Sequence, residues 1–553
     1  MKAGVMDTVV PGAGEDTFRL AKRLGFAGVE VVASRDDLRS PERLESIRRA
    51  NADTGLALPS LVLAEHSEQG GAADGDPLVA ERAREDIERA VDWAAELGAG
   101  AILLPFFGRA ELIDDADLDR AAAALGPLCE LAGGRDVTLC YEGTLPANRI
   151  RMLAERVGSR AFGCYVDLAN PLPRGMDTAT EVRALGELVR RVHFKDARVQ
   201  VGDCRPGFGL VDFRASSEAL SEIGYDDWLV LETPPGPPEL IGRDLAFARS
   251  VFPALEAAPT SARPRLGIFT YDFGLGDWDR LVETCRRAGL QAVQLGSPTL
   301  EACLERPERI DSIVEPLEAE GISIAALAGY RNLVAPDPGK RRANIDFIAQ
   351  CLELAPRFGT SVVATETGTR HPEGDWTDSP ENWRPATWAL LDDAIGELVP
   401  VAERAGSILA LEASVKNVLR TASQLLGLLE RFPSPHLQVV CDPYNYLSSQ
   451  LLPARERLTA DFLQRFEHRF VVAHLKDVDP GGAEVGTGEF GTGVFPQGVY
   501  LKFLAERRPD LPLILEHLPL DHVPEASGRV RELAAQYVRT TRSVSSGRRS
   551  MSS

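Results

Sequence analysis

The sequence has no long apolar run. None of its 553 residues fall in an uninterrupted apolar stretch of about 18 residues, the length that crosses a membrane as a helix. The amino-terminal segment MKAGVMDTVVPGAGEDT also lacks the apolar centre of a secretion signal. These absences predict a cytoplasmic protein with no membrane partner.

Cysteine is scarce and scattered. The chain has 8 cysteines, and none forms a Cys-x-x-Cys pair. This pattern argues against a disulfide framework and against a zinc knuckle, and it is typical of reduced thiols in a cytoplasm.

Positive charge is in deficit. The chain has 61 basic and 82 acidic residues, and its formal net charge is −21. Such a balance repels phosphate backbones and excludes a nucleic acid as a favoured partner. It leaves open a small substrate that binds through a metal ion.

The first half of the chain alternates short apolar runs with amphipathic helical segments, an order typical of a parallel sheet with crossover helices. Seven clear runs and a weak first one near residues 2–5 make eight, which predicts a closed (β/α)₈ barrel over residues 1–255. The clear runs are 25–32, 55–64, 98–108, 136–144, 161–170, 191–196 and 226–234.

A second series of eight runs follows, so the α/β fold predicted for the chain is two tandem (β/α)₈ TIM barrels. Residues 256–265 have no periodicity and contain prolines, which predicts a linker, and 266–537 form the second barrel. The polar, Ser/Arg-rich residues 538–553 predict a disordered tail. The runs of the second barrel are 265–274, 289–297, 321–330, 359–369, 407–414, 437–445, 470–477 and 511–518.

Two short segments repeat one pattern, RVHFKD at 191–196 and VAHLKD at 472–477. Each is an apolar strand that ends in polar residues, which are costly at that place unless they serve a site. Because side chains alternate along a strand, the histidine and the lysine of each segment share one face.

Four strands of each half end in a carboxylate or a histidine, in the same order and about one βα unit apart. Such residues meet at one rim of a barrel. In the first half they are Glu142, Asp167, His193 and Glu232, and in the second half Glu412, Asp442, His474 and Glu516.

Three carboxylates at one buried rim require a counter-charge, because like charges raise one another's pKa. Oxygen and nitrogen ligands without sulfur favour a divalent metal ion, Mn²⁺ first, with Mg²⁺, Co²⁺ or Zn²⁺ as alternatives, and up to one ion per barrel. The competing interpretation is that these acids are merely solvated or cap the next helix.

Both halves resemble the xylose isomerase-like TIM-barrel superfamily of sugar phosphate isomerases and epimerases. The resemblance rests on the His-x-Lys-Asp strands, on DLAN at 167–170 and DPYN at 442–445, and on the closing strands LVLE and LILEH. The loop RPGFGLVDF at 205–213 is similar to a loop of that family.

The resemblance implies a metal-dependent isomerase or epimerase of a sugar, sugar phosphate or cyclitol. In such enzymes the metal stabilises an enediolate while two glutamates act as base and acid. Here these would be Glu142 with Glu232, and Glu412 with Glu516, which also complete the ligand sets, while the Asp and His of each set act mainly as ligands.

Further residues are predicted to contact the substrate. Sugar epimerases of the family have a histidine where this chain has Asn170 and Asn445, and asparagine cannot relay a proton. Phe208 replaces a common glutamate of the family, which implies an altered first pocket. The predicted substrate-binding residues are Asn170, Lys195, Arg205, Glu366, Arg370, Asn445 and Lys476.

Alternatives to the isomerase stay open. The same residues serve a dehydratase of a keto-cyclitol or hydroxy-keto acid, and one barrel can instead be a binding or scaffold module. The related metal-dependent endonucleases require more histidines than the 8 in this chain. They also require a basic face, which a net charge of −21 does not favour. Whether the chain forms a homo-oligomer is not determined by its sequence.

Overall fold

The computed structural model describes residues 1–12, 14–256, 265–270, 273–296, 298–479 and 487–548, with backbone only for 487 and 537–548. The chain divides by internal contacts into two units, Met1–Pro259 and Thr260–Ser553. Each unit contains one closed eight-stranded barrel, so the predicted tandem (β/α)₈ fold is confirmed.

In barrel 1 all neighbouring strands of the closed sheet run parallel, in the order β1-β10-β7-β6-β5-β4-β3-β2. A short antiparallel hairpin, β8 and β9, follows β7 outside the barrel. The strands are β1 Lys2–Met6, β2 Gly28–Val32, β3 Leu61–Val62, β4 Ala101–Phe106, β5 Thr138–Gly143, β6 Phe162–Asp167, β7 Val189–Phe194, β8 Asp196–Ala197, β9 Val201–Cys204 and β10 Trp228–Leu231.

Barrel 2 repeats this topology in the order β11-β12-β13-β14-β15-β16-β17-β20, with the hairpin β18 and β19 after β17. Its strands are β11 Arg265–Phe269, β12 Ala292–Leu295, β13 Ser323–Ala328, β14 Val362–Glu366, β15 Ile408–Glu412, β16 Leu437–Cys441, β17 Phe470–Leu475, β18 Asp477–Val478, β19 Thr487–Gly488 and β20 Pro512–Leu515.

Helices connect the strands of both barrels. In the first they are α1 Glu15–Leu24, α2 Pro41–Thr54, α3 Glu65–Glu68, α4 Pro77–Leu97, α5 Asp115–Gly133, α6 Ala147–Val157, α7 Thr178–Leu185, α8 Phe213–Glu222 and α9 Pro238–Val251. In the second they are α10 Trp278–Ala288, α11 Thr299–Glu305, α12 Ile310–Ala319, α13 Pro338–Leu354, α14 Pro385–Ala405, α15 Ala422–Arg431, α16 Arg455–Phe466, α17 Gln497–Arg507 and α18 Val523–Arg548.

The segment from α4 to β4 illustrates how local sequence forms this unit. Asp76 caps α4 by accepting the N–H of Leu78, and a proline occupies the first helical position. The helix ends at Gly98, whose φ of 73° suits a residue without Cβ. The next strand, AILLPF, is buried throughout, as expected of a parallel strand covered by helices.

Each barrel has its own apolar core between sheet and helices. In the first, Ile87 and Val91 of α4 belong to the same buried cluster as Ile102 of β4, and all three side chains are fully buried. A separate cluster occupies the second barrel. The two clusters share no residue among those described, as expected of tandem domains.

The chain divides between Pro259 and Thr260, inside the predicted linker 256–265, but residues 257–264 lie outside the described residues and the linker stays a prediction. Helix α18 extends to Arg548, so the backbone of 538–548 is helical where the sequence predicts disorder. Elongation of an existing helix is cheap compared with nucleation, even for a polar segment. Residues 549–553 lie outside the description. Among the described helices, none has the length and apolarity needed to cross a membrane.

Candidate metal sites in the two barrels

The four predicted residues of barrel 1 come together. Glu142 lies on β5, Asp167 ends β6, His193 lies on β7 and Glu232 follows β10 directly. Asp167 and His193 are partners in the parallel register of β6 and β7. One ligand atom of each of the four residues lies within 4.8 Å of the others. They form a compact, largely buried set of metal-ligand types, which we call cluster 1.

Two basic side chains, His193 and Lys195, contact the carboxylates of cluster 1. Nδ1 of His193 is 3.2 Å from Oε1 of Glu142 and 2.9 Å from Oε2 of Glu232. Nζ of Lys195 is 2.6 Å from Oε1 of Glu232 and 3.2 Å from Oδ2 of Asp167. Lys195 therefore bridges the carboxylates of Asp167 and Glu232.

Barrel 2 repeats most of this arrangement. Ligand atoms of Glu412, Asp442 and His474 lie within 4.8 Å of one another, and we call this group cluster 2. Glu516 falls outside that limit, although its Oε1 is 3.4 Å from Nδ1 of His474. The predicted fourth ligand thus lies beside cluster 2 rather than within it.

Lys476 occupies the place in barrel 2 that Lys195 has in barrel 1. Its Nζ is 2.6 Å from Oδ2 of Asp442 and 2.9 Å from Oε2 of Glu516. Nδ1 of His474 is 3.1 Å from the same Asp442 oxygen. The predicted sharing of one face by the histidine and the lysine is consistent with these contacts in both barrels.

The two glutamates of each barrel have pKa values displaced in opposite directions. Burial raises the pKa of Glu142, while His193 and Lys195 outweigh burial at Glu232 and lower its pKa to about 2. In barrel 2 burial raises the pKa of Glu412, and His474 and Lys476 lower that of Glu516 despite its burial. Environments that separate two carboxyl pKa values favour one acid and one base.

The carboxylates in and beside cluster 1 also shift the pKa values of His193 and Lys195. Burial alone would lower the pKa of His193, but the carboxylates of Glu30 and Glu232 outweigh it and raise the pKa well above its usual value. The pKa of Lys195 is raised because Asp167 and Glu232 outweigh burial. Both groups partly neutralise a strongly negative pocket.

The donor atoms of cluster 1 fit a divalent metal ion. Oδ2 of Asp167 and Oε2 of Glu232 are buried and accept no hydrogen bond of good geometry, despite the nearby Lys195 and His193 nitrogens. Buried acceptors of this kind are costly without a partner. Three carboxylates with one imidazole, and no sulfur, match the ligand preferences of Mn²⁺ or Mg²⁺.

Sequence reasoning missed the residues behind the two histidines. Nε2 of His193 is 2.8 Å from Oε2 of Glu30 on β2, and Nε2 of His474 is 2.9 Å from Oε1 of Gln294 on β12. All four side chains are at most 1% exposed. The signal that could have identified them is a carboxylate and an amide within otherwise apolar strands.

A family model described as xylose isomerase-like TIM barrel matches residues 18–251 and again 282–534. The chain belongs to the xylose isomerase-like TIM-barrel family. The two matched regions coincide with the two barrels, so the family resemblance that the sequence motifs carry is confirmed for both.

Curated relatives of this xylose isomerase-like chain are similar to it over one barrel's length. The 2-epi-5-epi-valiolone 7-phosphate 2-epimerase of Actinoplanes sp. is 29% identical over 208 residues, 36% of this chain and 74% of the relative. The L-ribulose-5-phosphate 3-epimerase UlaE of Salmonella typhi is 28% identical over 240 residues, 40% and 83% of the two chains.

Two solved structures are similar to it over less than half of its length. The apo 3-keto-D-glucoside 4-epimerase YcjR from E. coli is 20% identical, covers 45% of this chain and 99% of its own, and has a TM-score of 0.40. A D-psicose 3-epimerase solved with D-fructose is 18% identical, covers 46% and 99%, and has a TM-score of 0.41.

Several predicted substrate-binding residues of this family member lie at the clusters. Nδ2 of Asn170 donates to Oε1 of Glu142 at 3.5 Å, and Nδ2 of Asn445 donates to Oε1 of Glu412. Glu366 ends β14 in register with Glu412, and burial raises its pKa to about 7. These side chains can contact a molecule that binds at the metal-ligand set.

Arg205 and Arg370 make their hydrogen bonds elsewhere. The guanidinium of Arg205 contacts Oδ2 of Asp244 at 2.5 Å and the carbonyl of Pro235 at 3.1 Å. Arg370 donates to the carbonyls of Val334 and Ala335 at 2.9 and 2.8 Å. Such contacts hold loops in place, and the predicted role of both arginines in substrate binding stays a prediction.

Proposed function

We propose that this chain is a divalent-metal-dependent epimerase or isomerase of a sugar, sugar phosphate or cyclitol, with one active site in each barrel. Its curated relatives at 28 to 29% identity are named as a 2-epi-5-epi-valiolone 7-phosphate 2-epimerase and as L-ribulose-5-phosphate 3-epimerases. Mn²⁺ is the proposed ion, bound by the residues of cluster 1 and by those of cluster 2 with Glu516.

The observation that carries the proposal is the repeated pair of glutamates around one histidine nitrogen. Glu142 and Glu232 approach Nδ1 of His193 to 3.2 and 2.9 Å from β5 and β10, strands that β6 and β7 separate in the barrel. Two carboxyl groups that approach from separate strands can address two faces of a carbon atom. Glu412 and Glu516 repeat the arrangement at His474.

The opposite pKa shifts divide the work within each pair. Glu232 is held ionised by Lys195 and His193, so its carboxylate can accept a proton from a carbon next to a carbonyl. Burial raises the pKa of Glu142, which favours this carboxyl group as the one that returns a proton to the other face. Glu516 and Glu412 would act in the same way in barrel 2.

A divalent cation held by the residues of cluster 1 would supply positive charge to offset the negative charge that develops when a proton leaves carbon. The chain's own residues do the rest. Asn170 and Asn445 hold the acid glutamates through their amides and retain a carbonyl oxygen for a substrate hydroxyl. The two lysines orient the base glutamates.

Solvent exchange at carbon tests this proposal. The chain, loaded with Mn²⁺, is incubated in deuterium oxide with ketoses, their phosphates and keto-cyclitols, and the products are examined by NMR and mass spectrometry. An epimerase or isomerase leaves carbon-bound deuterium in a product that has lost no water. Loss of 18 Da, the mass of water, identifies a dehydratase instead.

Substitutions assign the reaction to a barrel. Glu142→Gln with Glu232→Gln removes the pair of barrel 1, and Glu412→Gln with Glu516→Gln removes that of barrel 2. Loss of a general acid or base lowers the rate by about 10²- to 10⁴-fold. Glu222→Gln and Glu283→Gln, which alter exposed pairs with Arg183 and Arg286, are matched controls. A metal-loaded chain without exchange on any substrate of the panel contradicts the proposal.

A further inference from the structure

The second strands of the two barrels differ at one inward position. Glu30 of β2 is in register with Met6 of β1, and Gln294 of β12 is in register with Phe269 of β11. The two residues therefore occupy the same place in the two barrels. One is a carboxylate and the other its neutral isostere, and each contacts the histidine of its own barrel.

These contacts fix which nitrogen of each imidazole carries the proton. An oxygen lies 2.8 Å from Nε2 of His193 and 2.9 Å from Nε2 of His474, and an oxygen without hydrogen can only accept, so Nε2 donates in both. Nδ1, which faces the carboxylates of the cluster, is then the nitrogen that gives up any proton it carries and offers its lone pair when a metal ion binds. Both barrels therefore select the same histidine tautomer, but the side chain that accepts from Nε2 is a carboxylate in barrel 1 and a neutral amide in barrel 2.

The charge of Glu30 is directed at the imidazole. Oη of Tyr165 donates to Oε1 of Glu30 at 2.6 Å, and the hydroxyl of Ser60 donates to the same oxygen. Oε2 is thereby left to His193, and the carboxylate is fully buried. A buried negative charge behind an imidazole strengthens the opposite nitrogen as a metal ligand.

Gln294 is also held in place by a hydrogen bond, but its side chain carries no charge. Its Nε2 lies 3.3 Å from Oη of Tyr330, which donates to Oε2 of Glu412 at 2.6 Å. This chain of hydrogen bonds turns Oε1 of Gln294 towards His474. In barrel 1 the hydroxyl of Tyr165 donates to Glu30. In barrel 2 the hydroxyl of Tyr330 accepts from Gln294 and donates to Glu412, which is a candidate metal ligand.

We infer that Glu30 and Gln294 are positioning residues that give the two candidate metal sites different affinities, the barrel 1 site being the tighter. The inference rests on the metal sites of the proposed function. Partners behind a metal-bound histidine contribute about 10- to 100-fold to affinity. The two barrels would then load in sequence as the concentration of the ion rises.

Barrel 2 has a further carboxylate, that of Glu366, at a position where barrel 1 has none. Glu366 is in register with Glu412, and the matching partner of Glu142 in barrel 1 is Pro105. Glu366 accepts a hydrogen bond from Asn417 and does not stand behind a histidine. Because this difference also affects affinity, the decisive comparison is between variants of one barrel rather than between the two barrels.

The test is calorimetric titration of the metal-free full chain with Mn²⁺ alone, in two single-site backgrounds. His474→Ala leaves barrel 1 to be measured, and Glu30→Gln and Glu30→Ala are added to it. His193→Ala leaves barrel 2, and Gln294→Glu is added. We expect Glu30→Gln to raise the dissociation constant about 10- to 100-fold, and Gln294→Glu to lower it.

Glu30→Gln keeps the shape and the hydrogen bond, so a purely structural role predicts no change. An unchanged dissociation constant in Glu30→Gln therefore overturns the inference, even when Glu30→Ala weakens binding. Thermal unfolding with a chelator checks that each variant folds. If Glu30→Gln does not fold, Gln294→Glu in the His193→Ala background replaces it, and a dissociation constant that does not fall there overturns the inference.

The outcomes separate this inference from the proposed function. Mn²⁺ binding that Glu30→Gln leaves unaltered contradicts the inference alone. A chain that binds no Mn²⁺ in any background contradicts both. Weaker binding in Glu30→Gln with unchanged unfolding of the metal-free protein supports both.

Discussion

Oδ2 of Asp196 accepts the backbone N–H of Gly209 at 2.9 Å and that of Gly207 at the same distance. In barrel 2 the aspartate of the matching motif, Asp477, accepts the N–H of Gly491 at 3.0 Å. The last residue of each His-x-Lys-Asp motif therefore anchors the loop that follows it, while the histidine and the lysine face the cluster.

Replacing this anchor should destabilise barrel 1. Asp196→Asn puts an NH₂ group where Oδ2 accepts two backbone N–H groups, in a side chain only 1% exposed. We expect a loss of about 2 to 4 kcal/mol in the free energy of unfolding, measured with urea. Asp212→Asn, an exposed helix cap with one such bond, is the matched control and should cost little, because asparagine caps a helix about as well as aspartate. Equal losses in the two variants would refute the anchoring role.

Metal removal should lower the unfolding temperature. An ion that binds only the folded state adds about 2.7 kcal/mol at a hundredfold excess over its dissociation constant. Asp167→Asn should abolish the gain in barrel 1, because it removes a ligand of cluster 1. Scanning calorimetry with Mn²⁺ and with a chelator measures the difference. Asp177→Asn, an exposed cap of α7, should retain the full gain, and a full gain in Asp167→Asn would be evidence against the site.

His66 should make barrel 1 sensitive to acid. Its ring lies against Phe106, Nδ1 is 3.2 Å from the carbonyl of Pro105, and burial lowers the pKa to about 4. A base with a lowered pKa in the fold contributes stability that is complete above its unfolded pKa of about 6.5 and is lost as pH falls towards 4. The loss amounts to about 3 kcal/mol. Urea unfolding between pH 7 and 4 should show a smaller loss in His66→Asn, and an unchanged pH slope would contradict the assignment.

Glu366 should matter only to barrel 2, because Pro105 stands at the equivalent register position of barrel 1. Glu366→Gln removes the charge and keeps the volume. Loss of a hydrogen bond from substrate to a charged group costs about 1.5 to 3 kcal/mol, so KM for the barrel 2 substrate should rise at least about tenfold. Steady-state kinetics of both barrels measure this, with the exposed Glu373→Gln as control. A fall in kcat without a change in KM would assign Glu366 to the chemistry instead of to binding.

Patterns local in the sequence predicted much of the fold and of the clusters. Period-two alternation and polar residues at the end of an apolar strand identify His193, Asp167 and their counterparts, since a strand's end and its inward face are read over a few residues. The parallel order of a closed barrel then brings these strand ends to one rim. Contacts of Arg205 and Arg370 were not predictable in this way, because loops pair them with Asp244 and with the carbonyl of Val334.

Two barrels, their strand order and the eight residues at the strand ends are predictable from the amino-acid sequence, because each follows from a repeated local pattern. The side chain that contacts Nε2 of each histidine is known only from the folded barrel. Glu30 and His193 are 163 residues apart, and closure of the barrel brings them to hydrogen-bonding distance. A carboxylate within an apolar strand signals a buried partner, but no local pattern names that partner. The charge behind each imidazole is a property of the folded barrel.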